Sequence, residues 1–213
     1  MSRDFQDDTG ERQLRRLETF LDVAYAVLFV QFILYLPETE DMAWVGMPYG
    51  LLSLLIEHWE EMLRLVIAVG LTLFSWNLTN KLLAPLQRTD ATHTFLILLH
   101  LILVCFFLFF AVSDPKLVTL SSPVGQSLCL AASGFVGIGA WRYARRKGFT
   151  RASLSDTEKD QVARTAVIEP LTALTNTGFA FVGPIAWTAG WLVIPVVLIA
   201  GRRQWERRIG RSP

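Results

Sequence analysis

Charge is what this 213-residue chain has little of. Asp, Glu, Lys and Arg make up 18% of it, against about 25% in an ordinary soluble domain. Hydrophobic residues make up 52%, and mean hydropathy is +0.39. This excludes a soluble enzyme domain with a hydrophilic shell. Cysteine is scarce too: Cys105 and Cys129 both sit inside apolar runs, as small buried hydrophobes rather than a disulfide framework. The three histidines, His58, His93 and His100, do not fall at one expected membrane depth, which argues against bis-histidine haem. No phosphate loop, nucleophile–base arrangement or intramembrane protease dyad is present, so no catalytic residue, metal or cofactor is expected.

Apolar runs are what the sequence has in abundance. A span needs about 20 residues, so six spans would take roughly 120 residues, a little over half the chain. The runs predict spans over about 17–36, 62–83, 94–112, 118–141, 163–182 and 185–200. Residues 42–56 are apolar but interrupted by Gly46, Pro48 and Gly50, and read as an interfacial or re-entrant piece. The predicted fourth span is rich in small residues (Ala131, Ala132, Ser133, Gly134, Gly137, Gly139, Ala140), which let helix backbones approach closely in lipid. The fold class is therefore an all-α membrane protein. Its predicted organisation is a cytoplasmic N-terminus over 1–16, a six-helix transmembrane domain over 17–202 and a cytoplasmic tail over 203–213. The polar start has no small-residue cleavage site ahead of an apolar run, and does not read as a signal peptide.

Basic residues set the expected orientation. Arg3, Arg12, Arg15 and Arg16 precede the first span, and Lys81 and Arg88 follow the second. Seven lie between spans four and five, from Arg142 to Arg164, and five follow span six, from Arg202 to Arg211. Arg64 and Lys116 fall on the opposite side. An even number of spans with both termini cytoplasmic, in a multi-pass protein of the cell (inner) membrane, satisfies that split. The basic run from Arg142 to Lys147 then reads as a cytoplasmic flank facing lipid rather than a nucleic-acid patch.

Polar groups at membrane depth are where function or helix locking should be sought. The first span carries Glu18, Asp22 and Gln31, the second Trp76, Asn77, Thr79 and Asn80, and the third His100. Arg16 and Asp22 are six residues apart and lie on different helix faces at about 100° per residue, so each is expected to find its partner on another helix. Asp22, Asn80 and His100 fall toward the same leaflet and are expected in one layer, as a helix-locking network.

The segment Arg16-Leu17-Glu18-Thr19-Phe20-Leu21-Asp22 resembles the Arg-x-x-x-Phe-Ser-Asp signature of the transmembrane protein 175 family, endosomal and lysosomal potassium channels with bacterial relatives. Trp76 through Asn80 on the second span and Leu99-His100-Leu101 on the third resemble the family's tryptophan-then-histidine and Leu-Asn-Leu motifs. The sequence departs in three places: Leu21 stands for the serine, Thr79 or Asn80 for the histidine, and His100 for the asparagine. The histidine and the amide are thus expected to have exchanged helices with their contact kept.

The resemblance implies a bacterial, single-repeat member: a homotetramer of six-span subunits whose first helices line a central pore, permeable to potassium and other monovalent cations. Hydrophobic side chains on the first helix form the family's constriction in place of a carbonyl filter. Carried over by spacing from Asp22, that face places Val27, Gln31 and Leu34 in the pore with Val30 adjacent, and gives Arg16, Phe20, Asp22, Trp76, Asn80 and His100 the locking role. Expected partners are monovalent cations, other copies of the chain and the lipid bilayer, with no nucleic acid. Two alternatives stand beside the channel: a proton-coupled transporter or proton pathway through Glu18, Asp22 and His100, and a non-conducting membrane scaffold of the same fold.

Overall fold

A computed structural model describes residues 2–34, 56 and 59–209, with side chains described over 9–32, 56 and 59–201. The segment read as interfacial, apart from Ile56, lies outside the described residues, as does the side chain of Leu34. Among the described residues the secondary structure is helical apart from an isolated antiparallel bridge between Leu86 and Thr150. The helices are α1 (Ser2–Leu34), α2 (Trp59–Leu83), α3 (Ala91–Ser113), α4 (Ser121–Arg146), α5 (Asp156–Ala166), α6 (Ile168–Ala180) and α7 (Pro184–Ile209). Four of them, α2, α3, α4 and α7 through Gly201, are long and apolar enough to cross a membrane.

The segment read as a fifth span, 163–182, is not one helix: α5 ends at Ala166, and α6 begins at Ile168 after a turn at Val167. Pro170 gives the reason. It has no N–H to donate to the Ala166 carbonyl, and its ring crowds that position, so the ladder breaks there. The 13 residues of α6 rise about 20 Å at about 1.5 Å each, short of the ~30 Å hydrocarbon core. α5 starts from a capping box, in which Ser155 Oγ accepts from Glu158 N–H while Ser155 N–H donates to the Glu158 carboxylate.

The bundle has a basic end, where α1 and α3 begin and α2 and α4 finish. There the α2–α3 loop ties the others together. Gln87 N–H donates to Phe149 O at 2.8 Å, Arg151 N–H to Pro85 O at 2.9 Å and Thr89 N–H to Gly10 O at 3.2 Å, which fastens α1 to the loop. Asp90 caps α3 by accepting from His93 N–H at 2.8 Å, and accepts from the Tyr143 hydroxyl of α4 at 2.7 Å. Burial alone would lift the Asp90 carboxyl. The donors His93 N–H and Tyr143, with Lys147 nearby, outweigh burial and hold it below its ordinary value.

Two apolar clusters fill the bundle. One, at the basic end, joins Leu17, Leu21 and Tyr25 of α1 to Leu82, Val104 and Trp141. The other joins Phe107, Leu130 and Ala173 to Trp187 and Trp191 of α7. α4 runs between α3 and α6 at close range. A methyl group on Gly134 would lie 2.8 Å from the Pro170 ring, and one on Gly125 would lie 2.8 Å from Phe110. Gly134 and Gly125 are thus sites of close approach to a neighbouring helix, whereas Gly139 faces open space.

Candidate functional site

α1 has two faces. Leu14, Leu17, Leu21, Tyr25 and Phe32 are buried against the bundle, at spacings of three, four and seven that keep one helical stripe. The opposite stripe is open: Phe20, Val23, Val27 and Val30 are each more than half exposed, and Gln31 is exposed beside them. Val27, Val30 and Gln31 of the sequence-derived pore set therefore lie together on the uncovered side of a single subunit.

The locking residues do not form one network. Asp22 is exposed and accepts a hydrogen bond from Trp76 Nε1 of α2 at 3.0 Å, so the aspartate finds its partner on another helix. His100 is buried on the inner side in a separate cluster. Its Nε2 lies 3.0 Å from Thr79 Oγ1 and 3.4 Å from the Tyr25 hydroxyl, and its Nδ1 lies 2.9 Å from the Ser133 carbonyl. That carbonyl can only accept, so Nδ1 carries a proton, and Nε2 faces the two hydroxyls. Thr79 Oγ1 in turn donates to Ser75 O at 2.8 Å. Of the two residues that could stand for the family's histidine, Thr79 is the one that meets His100. Asn80 is half-buried on the next position of α2. Arg16 and Phe20 are exposed on the outer side of α1.

Glu18, Asp22 and His100, the residues of the proton-pathway alternative, are not brought together. Glu18 lines a polar hollow of about 460 Å³ at the basic end, beside Glu11, Arg15 and Arg151, while Asp22 is bound to Trp76 and His100 to hydroxyls and a carbonyl.

Sequence reasoning missed Tyr25, Ser133 and Ser75 as parts of the cluster around Thr79 and His100. Tyr25 lies four residues after Leu21, on the buried stripe, where a phenol needs a polar partner; that spacing was a readable signal. Ser133 looked like one more small packing residue, and its carbonyl contribution has no side-chain signature. Among the described residues, no three His, Cys, Asp or Glu side chains converge as a metal site would require.

No protein-family model matches the chain, and no curated protein matches it. Among solved structures it is similar to one described as a crystal structure of a lysosomal potassium-selective channel TMEM175 homolog from Chamaesiphon minutus. The TM-score is 0.69 at 18% identity, covering 89% of this chain and 98% of that one. With the helix order and the four apolar helices described above, this establishes that the chain shares the fold of that membrane protein.

Proposed function

We propose that the chain is a subunit of a potassium-permeable cation channel of the transmembrane protein 175 kind, assembled as a homotetramer around a pore lined by α1. The observation that carries this reading is the uncovered stripe Val23, Val27, Val30 and Gln31 on a helix whose other face is fully engaged. In lipid an apolar stripe can face acyl chains or another helix, and the fold shared with a channel homolog favours the second. Around a four-fold axis, in a chain with the fold of a channel homolog, it supplies apolar rings that exclude partly hydrated ions and gate by dewetting. Gln31 and Leu34 complete the constriction. Four Gln31 amides would offer oxygens to a passing cation at a level otherwise apolar. Both termini are cytoplasmic in this reading, in the cell membrane, and Asp22 with Trp76 holds α1 at its azimuth.

The test is the reversal potential of the purified protein in planar bilayers under opposed potassium and sodium gradients. The expected result is a current reversing toward the potassium equilibrium potential, altered by Gln31→Ala with the tetramer intact. Absence of current in confirmed tetramers, or a current indifferent to substitutions at Val27, Gln31 and Leu34, would overturn the assignment of the pore.

A further inference from the structure

Glu169 is a carboxyl with 4% exposure in the first turn of α6, directly in the break that Pro170 makes. Ser75 Oγ of α2 lies within hydrogen-bond distance of its Oε1, at 2.6 Å, and its Oε2 has no hydrogen-bond partner. The elements around it offer little else. On α2, Thr72 spends its hydroxyl on Ala68 O. On α6, Thr172 spends its own on Ile168 O. α4 presents the bare backbone of Gly134 to Pro170. The described part of α7, through Gly201, contains no charged residue.

Tyr25 of α1 lies within electrostatic reach, and it is engaged with Thr79 and with His100 of α3. Cys105 of α3 is exposed and acts on Tyr25. On α5, Lys159 pairs with Asp156, Asp160 pairs with Arg145 of α4, and Arg164 is exposed.

We propose that Glu169 is a proton-binding site at the seam where Ser75 of α2 meets the first turn of α6. The proton sits on Oε1 when the seam is closed and leaves when water enters. A carboxylate held there would keep one oxygen bare in a buried setting, which is the costly state for a charge. The N-terminal N–H groups of α6 favour the anion, by less than full desolvation disfavours it. In the acid form the Oε1 proton is donated to Ser75 Oγ. The serine hydrogen then turns to a carbonyl one helical turn earlier, the kind of partner that Thr72 and Thr79 already use on α2. Oε2 is left as a bare carbonyl oxygen, a far smaller penalty. Releasing the proton creates the anion and calls for a second donor; among the described residues no side chain around Glu169 offers one, and water entering beside Ser75 supplies it. Ser75 precedes Trp76, which holds Asp22 of α1, so opening the seam moves the turn that fixes α1. The site is independent of whether the protein conducts.

The experiment is infrared difference spectroscopy on the full-length protein in lipid nanodiscs, between acidic and alkaline buffer, with hydrogen exchange over residues 72–80 in parallel. The expected result is a protonated-carboxyl band in acid that is absent from Glu169→Gln, an isostere of the acid that keeps the seam closed. Ser75→Ala is expected to retain the band at a shifted frequency, because the proton loses its acceptor. Alkaline buffer should accelerate exchange over 72–80 beyond the intrinsic base dependence in the native chain and not in Glu169→Gln. A band that survives Glu169→Gln, a band unmoved by Ser75→Ala, or equal acceleration in Glu169→Gln would each overturn the proposal.

Discussion

Replacing Gly134 by alanine places a methyl group where α4 and α6 already touch. The added Cβ would meet Pro170 Cδ at 2.8 Å, Cβ at 2.9 Å and Cγ at 3.0 Å, whereas carbon atoms pack comfortably at about 3.5–4.0 Å. A flexible side chain could swing aside. The proline ring is closed onto its own backbone and cannot, so α6 has to move away from α4 and reopen the contacts between them. Overpacking of this kind costs about 1–3 kcal/mol, offset by the ~0.5–1 kcal/mol that alanine gains over glycine in a helix. The net is a loss of up to about 2.5 kcal/mol, or up to roughly 10 °C in Tm at about 2–4 °C per kcal/mol for a chain of this size.

Gly139, five residues on, has nothing within 4 Å of its added Cβ, and neither does Gly178 of α6. Gly139→Ala and Gly178→Ala therefore act through helix propensity alone, and each is expected to raise Tm by about 1–4 °C. Thermal unfolding of the three variants in one detergent, followed by tryptophan emission, reads the contrast. If Gly134→Ala unfolds at or above the temperature of Gly139→Ala, the close approach at Pro170 is not what holds α6 against α4.

Two more predictions follow from the ties of α1 and α3. A double-mutant cycle of Asp22→Ala and Trp76→Phe is expected to give a coupling of about 1 kcal/mol or less, because the hydrogen-bonded aspartate is exposed. A coupling of several kcal/mol would mean that Asp22 is buried in the assembled protein. Asp90→Ala removes the cap of α3 and is expected to cost about 1 kcal/mol near neutral pH. Because the folded carboxyl is held below its ordinary value, its stabilisation is present above the unfolded pKa of about 3.9 and is lost as pH falls through the folded value. The difference between Asp90→Ala and the native chain, read as Tm against pH, should shrink below about pH 4. A difference that persists into strong acid would count against the charge as its source.

The long helices were legible because their signal is long. The run read as 62–83 is α2 from Trp59 to Leu83, and 94–112 is α3 from Ala91 to Ser113, extended by the turn that Asp90 caps. The break between α5 and α6 was less legible. Hydropathy averages over about 20 residues and passes straight through Pro170, while the effect of proline falls on one hydrogen bond, that of Ala166. The helix over 156–166 also escaped, although Ser155 with Glu158 is a capping-box signature, because a polar stretch carries no apolar run to draw attention to it.

At the candidate site the sequence led to Asp22, Trp76 and His100 but not to how they divide. Depth along a helix axis can be counted from residue numbers at about 1.5 Å each, so placing Asp22 and His100 toward one leaflet was within reach. Azimuth is set by which side each neighbouring helix occupies, and a single chain of letters does not hold that. Asp22 and Tyr25 show the consequence. They are three residues apart and nearly at one depth, yet Asp22 faces outward to Trp76 while Tyr25 is fully buried beside His100 and Thr79.

This division is also what gives α1 its fixed presentation. The inner stripe of α1 is pinned by a phenol whose hydroxyl meets two partners, Thr79 on α2 and His100 on α3. Rotating α1 by one residue, about 100°, would carry Tyr25 out of that layer and strand a buried histidine against hydroxyls that no longer match it. The Asp22–Trp76 bond opposes the same rotation from the outer edge. The two ties therefore hold the azimuth of Val23, Val27, Val30 and Gln31 without touching them. Substitutions on the uncovered stripe should change what α1 faces while leaving subunit stability nearly untouched. Substitutions at Tyr25, Thr79 or His100 should do the reverse, loosening the subunit before altering the chemistry of the stripe.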